Sequence, residues 1–158
     1  MGISVSGACR ILRDDRQGTS ALEFAFVAPV LFLVLLGIIQ FGLTINNYEM
    51  LTGGTQAAAR QFALSRGSAT PSSTATTALY NAAPNLTQAR LTISLSVNGT
   101  QCSSTGGTSG DAPCKTALST AQGGAATAAA TYPCNLAFYG YDFAPGCTLS
   151  STVTESVE

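Results

Sequence analysis

The chain has 158 residues, 46% hydrophobic and only 9% charged, against roughly 25% charged in an ordinary soluble domain. Seven basic and eight acidic residues give a net charge of −1, which presents no basic surface to a phosphate backbone and excludes nucleic acid as a partner. Histidine is absent, and with it the commonest general base and metal ligand, so an enzyme is not expected and no cofactor is called for.

The chain opens with a polar leader, residues 1–18, carrying Arg10, Arg13 and Arg16 beside Asp14 and Asp15. From Phe24 to Ile45 the next 22 residues hold no charge, enough for a helix of roughly 33 Å that crosses a bilayer. Basic residues precede this run, and the next one beyond it is Arg60. The positive-inside rule therefore predicts a single pass, with the N-terminus in the cytoplasm and the C-terminal part outside. A cleaved secretory signal fits less well, because its apolar region is usually about 7 to 15 residues followed closely by a small-x-small site. Asn46, Asn47, Tyr48 and Glu49 stand there instead.

A carboxylate, Glu23, sits at the start of the run, where hydrocarbon makes an ionised group costly. Gly18 lies five residues before it and Phe24 directly after. Gly18-Thr19-Ser20-Ala21-Leu22-Glu23-Phe24 resembles a class III prepilin signal. The wider stretch from Arg16 to Gly67 resembles the N-terminal signature of TadE-like minor pseudopilins of the tight-adherence (Tad) pilus system. The residues that carry the likeness are Glu23-Phe24-Ala25, Pro29, Gly37 with Phe41-Gly42, and Ala58-Ala59-Arg60. Asp14 and Asp15 depart from the family's more basic leader.

The resemblance implies cleavage between Gly18 and Thr19 by a prepilin peptidase, with Glu23 and Phe24 serving recognition and assembly. Elementary electrostatics gives the same residues work. A cut after Gly18 leaves a charged Thr19 amine at a helix start, and Glu23, one turn on, offsets either that amine or a neighbouring subunit's. Pro29 removes one backbone bond inside the run, and Gly37 and Gly42 offer close helix packing.

Beyond the membrane run the helix extends over 46–66, where Phe41, Ile45, Tyr48, Leu51, Thr55, Ala58 and Phe62 form an apolar stripe. Gly53-Gly54 marks a weak point or hinge, and Gly67 and Pro71 end the helix. Residues 67–158 are expected to form a small extracytoplasmic α+β domain in which the helix packs on an antiparallel sheet. A second helix is predicted over Ser73–Ala83. A strand is predicted over Arg90–Val97, with Leu91, Ile93, Leu95 and Val97 on one face, followed by an Asn98-Gly99 hairpin turn. Residues 103–131 are so rich in Ser, Thr, Gly and Ala that they read as a low-complexity loop, with a short helix over Ala112–Gln122 capped by Asp111. Strands follow at Tyr132–Tyr139 and Thr148–Val157.

Of five cysteines, Cys9 belongs to the leader. Cys102, Cys114, Cys134 and Cys147 form an even set for an oxidising compartment, hence two disulfides, whose connectivity the sequence leaves open although local pairing closes the shortest loops. Zinc is the competing reading, but gaps of 12, 20 and 13 residues lack close Cys-x-x-Cys pairs. The Asn85 and Asn98 sequons read as chance, Asp142 lacks a second carboxylate for calcium, and Tyr132, Tyr139 and Tyr141 read as packing before adhesion. The resulting expectation is a membrane-anchored minor pseudopilin in Tad pilus assembly and surface adherence. Its partners would be the inner membrane, the prepilin peptidase, other Tad pilins and pseudopilins and the Tad secretion machinery. The alternatives are an unprocessed single-pass anchored periplasmic or surface binding domain, and an anchored hydrolase.

Overall fold

The apolar run and the stripe that follows it form one helix, α1 (Arg16–Ala63), in a computed structural model that describes residues 16–134, 137–138, 140–142 and 144–158. Expectations for residues 1–15 fall outside this range. Leu and Ala are the commonest residues of α1, and its one proline, Pro29, leaves the Ala25 carbonyl without its i+4 donor while the helix continues past it. The chain divides into two compact units at Phe41/Gly42. In the first, large apolar side chains lie open to the surroundings, among them Phe24 at 71% and Phe26 at 74% exposure. This segment is long and apolar enough to cross a membrane.

In the second unit the same helix becomes a core element. Leu51, Thr55, Ala58, Ala59 and Phe62 are fully buried, so the predicted stripe holds from Leu51 onward, whereas Phe41, Ile45 and Tyr48 are exposed. Helix α1 runs unbroken through Gly53-Gly54, which corrects the hinge. Gly54 instead lets α1 approach α2 (Pro71–Ala82): a Cβ there would lie 3.2 Å from the Leu79 carbonyl oxygen and 3.3 Å from the Ala83 Cβ. After Ala63 the chain leaves the helix through Gly67, whose φ of 79° favours glycine. Pro71 does not merely stop the first helix; it starts the second, where its missing N–H costs nothing.

The second unit, the head, holds a four-stranded antiparallel sheet in the order β2 (Thr100–Ser103), β1 (Thr92–Val97), β3 (Ala125–Pro133), β6 (Thr148–Ser156). Strand β1 (Thr92–Val97) buries Ile93, Leu95 and Val97, as its alternation predicts, while Arg90 ends a short 3-10 turn ahead of it. Asn98 (φ 51°) and Gly99 (φ 79°) make the predicted tight turn into β2 (Thr100–Ser103). Asn98 also fastens the turn to the next strand: its N–H donates to the Ala125 carbonyl at 2.8 Å, and its Oδ1 accepts from the Ala125 N–H at 2.9 Å.

The largest correction concerns the supposed loop 103–131. Its last seven residues belong to β3 (Ala125–Pro133), the strand between β1 and β6. Ala126, Ala128 and Ala130 are buried in the core with Leu51, Phe62, Leu79, Ile93 and Leu95. Alanine faces inward and Thr or Ala outward, so the strand shows almost no hydropathy contrast. Strand β4 (Ala137–Phe138) and strand β5 (Tyr141–Asp142) make a small separate hairpin. Strand β6 (Thr148–Ser156) then pairs with β3 at nine consecutive positions.

Asp111 also acts differently from the expectation. It is the first residue of α3 (Asp111–Ser119) and not its N-cap, and the helix ends before Gln122. Its carboxylate accepts the Ser73 N–H at 2.8 Å and the Ser73 hydroxyl at 2.7 Å. Ser73 lies in the first turn of α2, where a backbone donor has no helical partner. Asp111 therefore caps a helix 38 residues away in sequence.

Both disulfides are local. Cys102 in β2 joins Cys114 in α3 with a Cα separation of 4.9 Å, and Cys134 joins Cys147 at 5.4 Å, closing the base of the β4–β5 excursion. The four thiols are thereby occupied, which ends the zinc reading. Each bridge closes a loop of about 13 residues, worth roughly 3 kcal/mol in the chain-entropy model. Reduction is accordingly expected to lower the urea midpoint of the head sharply, and titration of unfolded, unreduced protein should find none of these four thiols reactive. Asp111→Ala should cost about 1–2 kcal/mol in the same unfolding experiment, because it strands the Ser73 donor; an unchanged midpoint would refute the capping role.

Candidate functional site

The residues singled out in sequence lie along the first half of α1. Gly18 and Thr19 fall in its opening turns, so the peptide bond between them sits where backbone N–H groups lack intrahelical acceptors. Thr19 and Glu23, four apart, stand one turn apart on one face. Glu23 is exposed and has no ion-pair partner among the described residues. At 100° per residue, Val30, Gly37 and Phe41 fall within about 40° of Glu23, forming one stripe. Gly42 lies about 140° around the helix from Gly37, so the two glycines do not form a single small-residue seam.

Among the described residues neither glycine meets a neighbour beyond its own helix: a Cβ added at Gly37 or Gly42 would have no atom within 4 Å. Pro29 and Phe24 are likewise exposed. No contact among the described residues therefore accounts for Gly37 and Gly42. Ala58-Ala59-Arg60 differs. Ala58 and Ala59 are fully buried in the head. Arg60 faces outward and lines a recess of about 290 Å³ with Ala63, Leu64, Glu155, Ser156 and Glu158.

The remaining sequence candidates are structural. Tyr132 is buried, with the Arg90 guanidinium 5.8 Å from its ring centroid, an arrangement of packing and cation–π attraction. The side chains of Tyr139 and Tyr141 lie outside what the structure describes. The Asp142 carboxylate accepts the Ala144 N–H at 3.0 Å, which makes it a turn residue. A groove of about 400 Å³ along α2, lined by Gln61, Thr70, Ser73, Thr74, Thr77 and Asn81, was not foreseen. The Thr74 and Thr77 hydroxyls there already donate to the Thr70 and Ser73 carbonyls.

These features define a class: one long apolar helix continuing into a disulfide-stapled α+β head, with the unexplained residues spread from Gly18 to Gly42. Residues 18–60 match the family model described as TadE-like protein. The N-terminal segment is thus TadE-like, consistent with a protein of the Tad pilus system, and the match begins at Gly18 and ends at Arg60. No curated protein matches the chain, and no solved structure does.

Because Gly37 and Gly42 meet no neighbour among the described residues beyond their own helix, Gly37→Leu and Gly42→Leu should leave the head's melting temperature unchanged. A fall of several degrees in either variant, measured by circular dichroism in detergent, would place these glycines in an intramolecular contact.

Proposed function

We infer that the chain is a minor pseudopilin of Tad pilus assembly, acting in surface adherence as a structural subunit and not as an enzyme. It spans the inner membrane once, with the N-terminus cytoplasmic and the head on the far side. A prepilin peptidase removes residues 1–18. The carrying observation is that the TadE-like match starts at Gly18, five residues before a lone carboxylate at the mouth of an exposed apolar helix.

Chemistry supports these roles. Cleavage needs an accessible backbone, and the Gly18–Thr19 bond occupies helix turns whose amides are least held. Glycine before the cut leaves space for the peptidase. Cleavage creates a cationic Thr19 amine, and in hydrocarbon that amine and Glu23 are each costly when unpaired. Pairing Glu23 with a neighbouring subunit's Thr19 neutralises both and sets the axial register. The exposed apolar stripe then packs among the helices of other Tad pilins and pseudopilins, and the head caps, primes or decorates the fibre within the Tad machinery. An unprocessed anchored binding domain is the competing reading.

Intact mass of the protein extracted from its native membrane separates the two. The pseudopilin reading predicts a chain that begins at Thr19, and full-length chain from Gly18→Leu; a native protein still beginning at Met1 would contradict it. Assembly is tested separately through Glu23→Gln, which keeps side-chain shape but removes the charge. At matched membrane abundance this variant should insert and fold normally yet lose co-purification with other Tad pilins. Undiminished co-purification would remove Glu23 from the assembly step.

A further inference from the structure

The chain's one Asn-Gly pair, Asn98-Gly99, does more than turn β1 into β2. Asn98 stands opposite Ala125, one step beyond the Val97–Ala126 pair. A hydrogen-bonded antiparallel pair exchanges two main-chain bonds. Here only the first joins main chain to main chain, the Asn98 N–H donating to the Ala125 carbonyl at 2.8 Å. The second runs from the Ala125 N–H to Asn98 Oδ1 at 2.9 Å, so a side-chain amide stands in for the carbonyl that the turn carries away.

The partner is firmly placed. The Val157 N–H donates to the Gly124 carbonyl, the Gly123 N–H donates to the Val157 carbonyl, and Val157 is buried. The amide also has no room to spare: a Cβ at Gly124 would lie 2.5 Å from Asn98 Oδ1 and 2.9 Å from Nδ2.

Asn-Gly is the pair that cyclises most readily, because a glycine without Cβ leaves its nitrogen open to the asparagine side chain. The Gly99 nitrogen, giving up its proton, bonds to Asn98 Cγ. The Cγ–Nδ2 bond breaks, and Nδ2 leaves with that proton as ammonia. Water then opens the cyclic imide, at Cγ to leave aspartate or at the main-chain carbonyl carbon to leave isoaspartate. The sheet order opposes the first step. Strands β2 and β3 flank β1 on opposite sides, so Gly99 leads the chain toward β2 while the Ala125 bond draws Asn98 Cγ toward β3.

We propose that Asn98 is a modification site held shut by its bond to Ala125. It remains an amide while β1 and β3 are joined at this end, and it converts to aspartate and isoaspartate when that end opens. Isoaspartate routes the main chain through Cβ and Cγ, which lengthens a tight turn and breaks the pairing of Val97 with Thr100. A subunit that has converted this way cannot close the turn again. The inference is independent of processing at Gly18 and of any place in the pilus.

Full-length protein in detergent, kept in warm and mildly alkaline buffer, provides the test. Asn98 is the one asparagine of the tryptic peptide 91–115, in which mass spectrometry reads the change from amide to carboxylate. The folded protein is expected to convert slower by about tenfold or more than the same protein unfolded in urea with its disulfides intact. Gly124→Ala, which displaces the amide from Ala125, should bring the folded rate toward the unfolded one. Should that variant misfold, the wild type decides alone: urea below the unfolding midpoint should raise hydrogen exchange at the Ala125 amide and conversion at Asn98 together. Equal rates in folded and unfolded wild type, a folded Gly124→Ala that converts no faster, or conversion that does not follow Ala125 exchange would each overturn the proposal.

Discussion

One helix that must satisfy two different surroundings governs this molecule. From Leu22 to Ile45 most large apolar side chains of α1 are exposed, whereas from Leu51 its apolar face, with Leu51 and Phe62, is fully buried in the head. The changeover occupies about one and a half turns and contains Asn46, Asn47 and Glu49. A single unbroken helix can manage it because every backbone group after the first turn is satisfied internally whatever lies outside. What changes is only what surrounds the side chains: mostly exposed up to Ile45, and packed in the small core of the head from Leu51.

The head is built to accept that helix with little material. Its central strand supplies Ala126, Ala128 and Ala130, and Gly54 allows α1 to meet α2 closely. Small residues bury little apolar area, so the core gains modestly per residue. The deficit is offset by cross-links spaced around it: two local disulfides, the Asp111 carboxylate on the start of α2, and the Asn98 side chain on β3. Each ties a loop or helix end to an element distant in sequence or shortens an unfolded loop.

How much of this was legible in the sequence follows from contrast. The helix, β1 and its Asn98-Gly99 turn were readable because Leu, Ile and Val alternate sharply with polar residues there, and because Asn-Gly at φ > 0 has one common use. Strand β3 is not legible because its inward Ala and outward Thr or Ala carry no such signal, so composition points to a loop. Asp111 reads as the cap of its own helix, since spacing cannot reveal a partner 38 residues away. The TadE-like motif was legible through order and spacing. The positions within it that meet no neighbour among the described residues beyond their own helix, Gly37 and Gly42, could be distinguished from the packed Ala58 and Ala59 only once the fold was known.

The central claim, that α1 passes from lipid to a folded core, is open to direct measurement because the chain has no native tryptophan. Single Phe32→Trp and Leu64→Trp variants, both at exposed positions, can be reconstituted in bilayers whose acyl chains carry bromine. Strong quenching at position 32 together with none at position 64 is the predicted result. Equal quenching at both positions, or none at position 32, would contradict the account.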